Sequence, residues 1–95
     1  MLFEWDEDKR QSNLVKHYID FRDAIRVFDG PVFETTDNRR GEDRTVAIGS
    51  VETSRSWWFT LMRGQRRRII SARRAHRNER QDYANHLKNA GQGED

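Results

Sequence analysis

Arginine is the residue type whose number and placement here could do chemistry. Ten cations lie between residues 54 and 90 against two acidic residues, and nine of the ten are arginine. A guanidinium fork grips phosphate through two parallel hydrogen bonds and stacks on rings, which a lysine ammonium cannot do. Residues 1 to 53 hold 8 Lys and Arg against 12 Asp and Glu, so the formal charge of +2 conceals an acidic half joined to a basic one. Two readings follow: the basic half meets an anionic partner, or the two halves face each other within one molecule. The first predicts a positive face, built by the last strands and the last helix and including Arg63, Arg67, Arg73, Arg77 and Arg80.

Other side chains narrow the chemistry. Cysteine is absent, which removes disulfides, thiolate metal sites and cysteine nucleophiles together. No glycine-rich phosphate loop, Ser-His-Asp arrangement or nucleotide fingerprint is present. Asp6, Glu7 and Asp8 could suggest a metal cluster, but successive helix positions point about 100° apart and converge poorly on one ion. Helix capping explains them better. His76 and His86 are isolated and make no metal site, so no metal or cofactor is expected. Histidine is the residue type suited to proton transfer near neutrality, so His17 could move a proton, although the dipole at a helix C-terminus would also favour a histidine there. Trp57 and Trp58 could stack on bases beside the arginines or simply fill a core.

These groups must be positioned by few elements. Residues 1 to 90 are expected to make one compact domain, with 91–95 as a frayed tail. Asp6 is a natural N-cap for a helix reaching about Tyr18, and Asp20 for a second one with Phe21, Ala24, Ile25 and Phe28 on one stripe, ended by Gly30 and Pro31. Residues 32 to 36 read as a strand, 37 to 43 as a polar turn or loop, and Val46 and Ile48 mark a second strand. Glu52 to Ser56 turn the chain into a central strand, Trp57 to Met62. Arg63 to Arg66 make the next turn, Arg67 to Ala72 the last strand, and His76 to Leu87 the third helix. The order of two helices, about four mainly antiparallel strands and a C-terminal helix predicts an α+β fold. No apolar run approaches the roughly 20 residues of a membrane span, and Met1 to Glu7 lack the features of a signal peptide. A soluble cytoplasmic protein without a membrane partner is expected.

Specific residues resemble a known family. Phe3-Glu4-Trp5-Asp6 with Lys9, Asn13, Lys16 and His17, then Phe21, Ala24, Val27, Phe28 and Pro31, resemble the first half of the BrnT toxins. Arg44, Ile48 and Gly49 match that family's middle strand. Ile69-Ile70-Ser71-Ala72-Arg73 with Ala75, Glu79, Arg80 and Tyr83 is similar to its C-terminal signature. The sequence departs from the family between Thr60 and Ile69, with one extra residue and three consecutive arginines, Arg66 to Arg68; a bulge at Gly64 would absorb the extra residue.

The resemblance implies a RelE-like fold, an endoribonuclease acting on RNA, and neutralisation by a BrnA-like antitoxin that binds operator DNA. Metal-independent RNA cleavage needs a base for the 2′-hydroxyl proton, an acid for the 5′-oxygen, and cations around the phosphorane. Arg63, Arg73 and Arg80 are the leading phosphate-stabilising candidates, with Lys16, Arg67, Arg77 and Tyr83 as further RNA contacts. The proton-transfer candidates are His17, Glu79, Lys16 and Tyr83, of which His17 is favoured. Glu79 and Tyr83 stand four apart and could instead support each other on the last helix, with Tyr83 packing rather than touching RNA. The rival readings are a non-catalytic nucleic-acid-binding module and a plain interaction protein, each using the same basic half.

Overall fold

The computed structural model describes residues 1–37, 41 and 43–92. Strand β1 (Leu2–Trp5) leads into helix α1 (Glu7–His17), a 3-10 turn (Phe21–Asp23) that continues as α2 (Ala24–Asp29), then β2 (Phe33–Asp37), β3 (Arg44–Val51), β4 (Ser54–Arg63), β5 (Arg66–Arg74) and α3 (Arg77–Gln92). The strands form one sheet in the order β1-β5-β4-β3-β2. The α+β class is as expected, but the sheet has five strands rather than four and is mixed, because β1 runs parallel to β5. Residues 38–40 and 42 of the expected polar loop, and 93–95 of the expected frayed tail, lie outside the described residues. Residues 91 and 92 are helical, so α3 extends past its predicted end at Leu87. Among the described residues no helix is long and apolar enough to cross a membrane.

Local chemistry accounts for the helix boundaries. The Asp6 carboxylate accepts the Lys9 backbone N–H at 3.1 Å, and Glu7 and Asp8 occupy the first turn of α1. Asp20 caps the 3-10 turn through the Arg22 N–H. Its carboxyl is held down at about 2, chiefly by the Arg22 side chain, with Arg10 adding to the effect. Helix α1 ends at Tyr18, which adopts φ +60° and donates its N–H to the Leu14 carbonyl at 2.9 Å. That left-handed position suits glycine, and a tyrosine there costs about 1 kcal/mol.

Helices α1 and α2 cover one face of the sheet around Trp58, Phe21, Val27 and Ile69, while α3 covers part of the other through Tyr83, Ile48 and Leu87. Strand β4 is central, as its apolar run predicts. Gly49 lets α2 approach: a Cβ on it would meet Val27 Cγ1 at 2.7 Å. Register slips once, since Phe59 opposes Ser71 while Thr60 opposes Ile69, leaving Ile70 as the extra residue. The bulge therefore lies at Ile70, not at Gly64, which sits at φ +61° in the two-residue turn joining β4 to β5.

Strand β1 pairs β5 only from Arg66 to Ile69, so the outer edge of β5 beyond that point needs another partner. Helix α1 supplies it. Buried Asn13 accepts the Ala72 N–H at 3.2 Å and donates to the Ile19 carbonyl at 3.1 Å, tying the strand edge to the turn after α1. Replacing Asn13 by Ala strands both backbone groups and is expected to cost about 2–3 kcal/mol, against about 1 kcal/mol for Asp6→Ala at an exposed cap. Urea unfolding of the two variants checks this, and equal losses would refute the edge-capping role of Asn13.

Candidate active site

The bulge divides the basic half between the two faces of the sheet. Strict alternation along β5 would place Arg67, Ile69, Ser71 and Arg73 on one side. Instead Arg67 and Ile69 face α1 and α2, whereas Arg73, opposite Trp57, faces the α3 side. Arg67 is buried, bonded to Glu34 at 2.7 Å, and lies over the Phe28 ring at 4.3 Å. It is thus a packing and ion-pair residue, and the single positive face expected from the sequence does not include it. Tyr83 is likewise enclosed: its hydroxyl donates to the Pro31 carbonyl at 2.9 Å and accepts from Ser50. Arg63 is exposed at the far end of β4, six residues and roughly 20 Å from Trp57. Arg77 is exposed on the first turn of α3.

Arg73, Glu79 and Arg80 are brought together where β5 meets α3. Arg73 makes a bidentate pair with Glu79, at 2.8 and 2.9 Å, and stacks over Trp57 at 4.1 Å. Glu79 also accepts the His76 N–H at 2.7 Å, which caps α3. The Arg73 hydrogen bonds hold the Glu79 carboxyl below its ordinary value despite its partial burial. A carboxylate so placed is a weak base near neutrality, and its geometry suits positioning of Arg73 and the start of α3. Arg80 donates to the Ala75 carbonyl at 2.7 Å and is otherwise presented to solvent.

His17 stands between two clefts. A smaller one, about 160 Å³, is formed with Lys9, Lys16, Asn13 and the bulge residues Ile70 and Ser71. A larger one, about 430 Å³, is formed with Tyr18, Arg55 and Arg74 beside the β3–β4 turn. A third cleft shares Arg55 and Arg74 and adds Arg80. Among the described residues, Lys9, Lys16, Arg55, Arg74 and Arg80 have no carboxylate partner. Arg10, Arg22, Arg26, Arg67, Arg68 and Arg73 each have at least one. Arg63, Arg66, Arg77 and Lys88 also lack one among the described residues, so unneutralised charge runs through the basic half; the band of it that borders His17 includes Arg55 and Arg74, which were not singled out from the sequence. Arg55 fell in a predicted turn and Arg74 beyond a predicted strand end, so neither carried a positional signal.

Asp6, Glu7 and Asp8 do not converge on a common point. Asp6 caps α1, and Glu7 binds Arg10 and the Trp5 indole.

The Arg73–Glu79 pair sets a pH dependence of stability. Because the folded-state value of Glu79 is depressed, its contribution is present above the ordinary carboxylate range and is lost as pH falls through the lowered value. Glu79→Gln is expected to cost about 1–2 kcal/mol near pH 7. The gap from the native protein should close as the medium is acidified below the ordinary carboxylate range. Thermal unfolding of both proteins across pH 2.5 to 8 (about five steps) tests this, and a gap independent of pH would contradict it.

A family model described as ribonuclease toxin, BrnT, of type II toxin-antitoxin system matches residues 5–79. Comparison with curated proteins and with solved structures finds no match. The matched span runs from the end of β1 through the bulge to Glu79 and so includes His17, Arg55, Arg73 and Arg74. The chain belongs to the BrnT family of ribonuclease toxins of type II toxin-antitoxin systems.

Proposed function

We propose that the chain is a metal-independent endoribonuclease whose reaction centre is His17 and the cations on either side of it. One observation carries this reading: the histidine lies between two clefts, and on both sides there are cations without a carboxylate partner among the described residues. Of the four proton-transfer candidates, Tyr83 is enclosed and Glu79 is committed to Arg73. His17 is half-buried at the end of α1, opens onto both clefts, and is of the type that titrates near neutrality. Lys16 beside it is exposed and serves as a phosphate contact.

In this scheme the 2′-oxygen of the substrate attacks the adjacent phosphorus, a new O–P bond forms, and the bond to the 5′-oxygen breaks. His17 takes the 2′-hydroxyl proton and delivers it to the departing 5′-oxygen, while Arg55, Arg74 and Arg80 stabilise the extra negative charge on the phosphorane. Arg73, braced by Glu79 and stacked on Trp57, contributes positive potential from the adjoining face. Arg63 and Arg77 extend the basic surface away from the centre and act on the strand at a distance. The antitoxin is BrnA-like, carries the operator-DNA contacts of the complex, and silences the toxin by covering the cationic band. The overall arrangement is RelE-like, and the protein acts in the cytoplasm.

His17→Ala is expected to lower the rate of RNA cleavage about 100-fold to 10,000-fold with little change in melting temperature, since the side chain is only half-buried. Arg55→Ala and Arg74→Ala should weaken RNA binding and reduce its dependence on salt, each by about one phosphate contact. The assay is cleavage of total RNA in EDTA, run beside thermal unfolding. Full activity in His17→Ala, or loss of native activity on chelation, would overturn the scheme. Hydrogen exchange of the toxin–antitoxin complex should show protection around His17 and the β5–α3 junction; protection confined to β2 and β3 would rule out occlusion.

A further inference from the structure

Tyr18 is unusual in three respects that converge. The residue is 88% exposed, and its ring has no hydrogen-bond or ring partner among the described residues. Its backbone is held at φ +60°, where glycine would sit without strain. It also borders the larger cleft beside His17, together with Arg55 and Arg74. The other described non-glycine residue with a positive φ, Glu52 at +56°, stands on the same cleft in the β3–β4 turn. Both backbone outliers thus lie on one cleft, and neither side chain is needed by the core.

We propose that Tyr18 is the stacking platform for an unpaired nucleobase, with Arg55 and Arg74 holding the phosphate next to that base. This deepens the ribonuclease reading above and rests on it. The chemistry selects the substrate class. A phenol ring accepts any base face, and neighbouring guanidinium groups take the backbone charge, which is the combination that retains single strands without reading sequence. In a duplex the base faces are covered by their neighbours, so the ring has nothing to stack on. The site therefore takes single-stranded RNA or an unpaired loop, and Tyr18 sets that preference while His17 performs the transfer.

The test separates stacking from folding because the informative variant relieves backbone strain. Tyr18→Gly should leave the melting temperature unchanged or raised, and Tyr18→Phe should keep the ring. The probes are a 2′-O-methyl RNA single strand, which has no free 2′-hydroxyl and is not cut, the same strand with abasic positions, and a duplex of equal length. Fluorescence anisotropy should show the native protein and Tyr18→Phe binding the single strand alike. Tyr18→Gly should bind it about 5-fold to 150-fold more weakly. The abasic strand should bind native and Tyr18→Gly proteins equally, and the duplex should not respond to either substitution. Equal single-strand affinity for Tyr18→Gly and the native protein, or a preference for duplex, would overturn the assignment. If native protein cleaves RNA and Tyr18→Gly does so with unchanged KM, the stacking proposal alone fails. If native protein neither binds nor cleaves RNA, the ribonuclease reading fails with it.

Discussion

The arrangement of charge in this molecule depends on one extra residue in β5. Side chains on a strand alternate with period two, so inserting Ile70 exchanges the faces of everything beyond it. Before the bulge, Arg67 and Ile69 point into the core beneath α1 and α2. After it, Ala72 takes over that inward role and Arg74 joins the His17 side, while Arg73 is sent to the opposite face to stack on Trp57. Without the bulge, Arg73 would share a face with Ile69, where its charge would have to be buried or the strand displaced. The bulge also lies where β5 has lost β1 as a neighbour and α1 has come alongside, so the irregular backbone borders the Lys9, Lys16 and His17 cleft.

The charge asymmetry of the sequence has two fates, since part of the basic half pairs with the acidic half and part of it has no carboxylate partner among the described residues. Arg67 with Glu34 and Arg68 with Glu4 join the basic half to the acidic half across long sequence separations. Glu4 and Arg68 are direct neighbours across β1 and β5, whereas Arg67 reaches from β5 to Glu34 on β2 over the Phe28 ring. The Arg67–Glu34 pair is largely enclosed and leaves Arg67 Nε without a hydrogen-bond partner, so it serves specificity of packing more than net stability. Of the arginines without a described carboxylate partner, Arg63 and Arg66 lie at the β4–β5 turn, whereas Arg55, Arg74, Arg77 and Arg80 gather toward the opposite end of β5, near its junction with α3. Mutual repulsion there is a cost to folding that an anionic ligand or an acidic partner would offset.

The helices were legible because their signals are local. Asp6 and Asp20 as caps, the Phe21–Ala24–Phe28 stripe and the Gly30-Pro31 stop each act within a few residues, and the structure uses all of them. Strand β1 was not legible. It has four residues, and its reason for being a strand is a parallel pairing with residues more than sixty positions away. The bulge was foreseen as an extra residue but placed at Gly64, because glycine is the local marker of irregular backbone. Its actual position is fixed by the fit of Ile69 and Ala72 into the helix-covered core, which only the assembled sheet reveals. His17 and Lys16 were candidates on residue type and family resemblance. Arg55 and Arg74 required the fold, since what marks them out is a place on the cleft beside His17 combined with the absence of a described carboxylate partner.

That distinction also separates residues that could all be assigned to phosphate. A guanidinium already in a bidentate carboxylate pair can meet phosphate only by exchanging or sharing its partner, so Arg73 gains less from a new anion than Arg74 does. Arg73 is nonetheless the more rigid of the two, clamped by Glu79 and supported by the Trp57 ring. Rigidity suits a group that shapes the potential of a site, and freedom suits one that must follow a moving strand. Adjacent arginines on opposite faces of β5 thus divide these roles, and the division exists because the bulge at Ile70 turns one of them over.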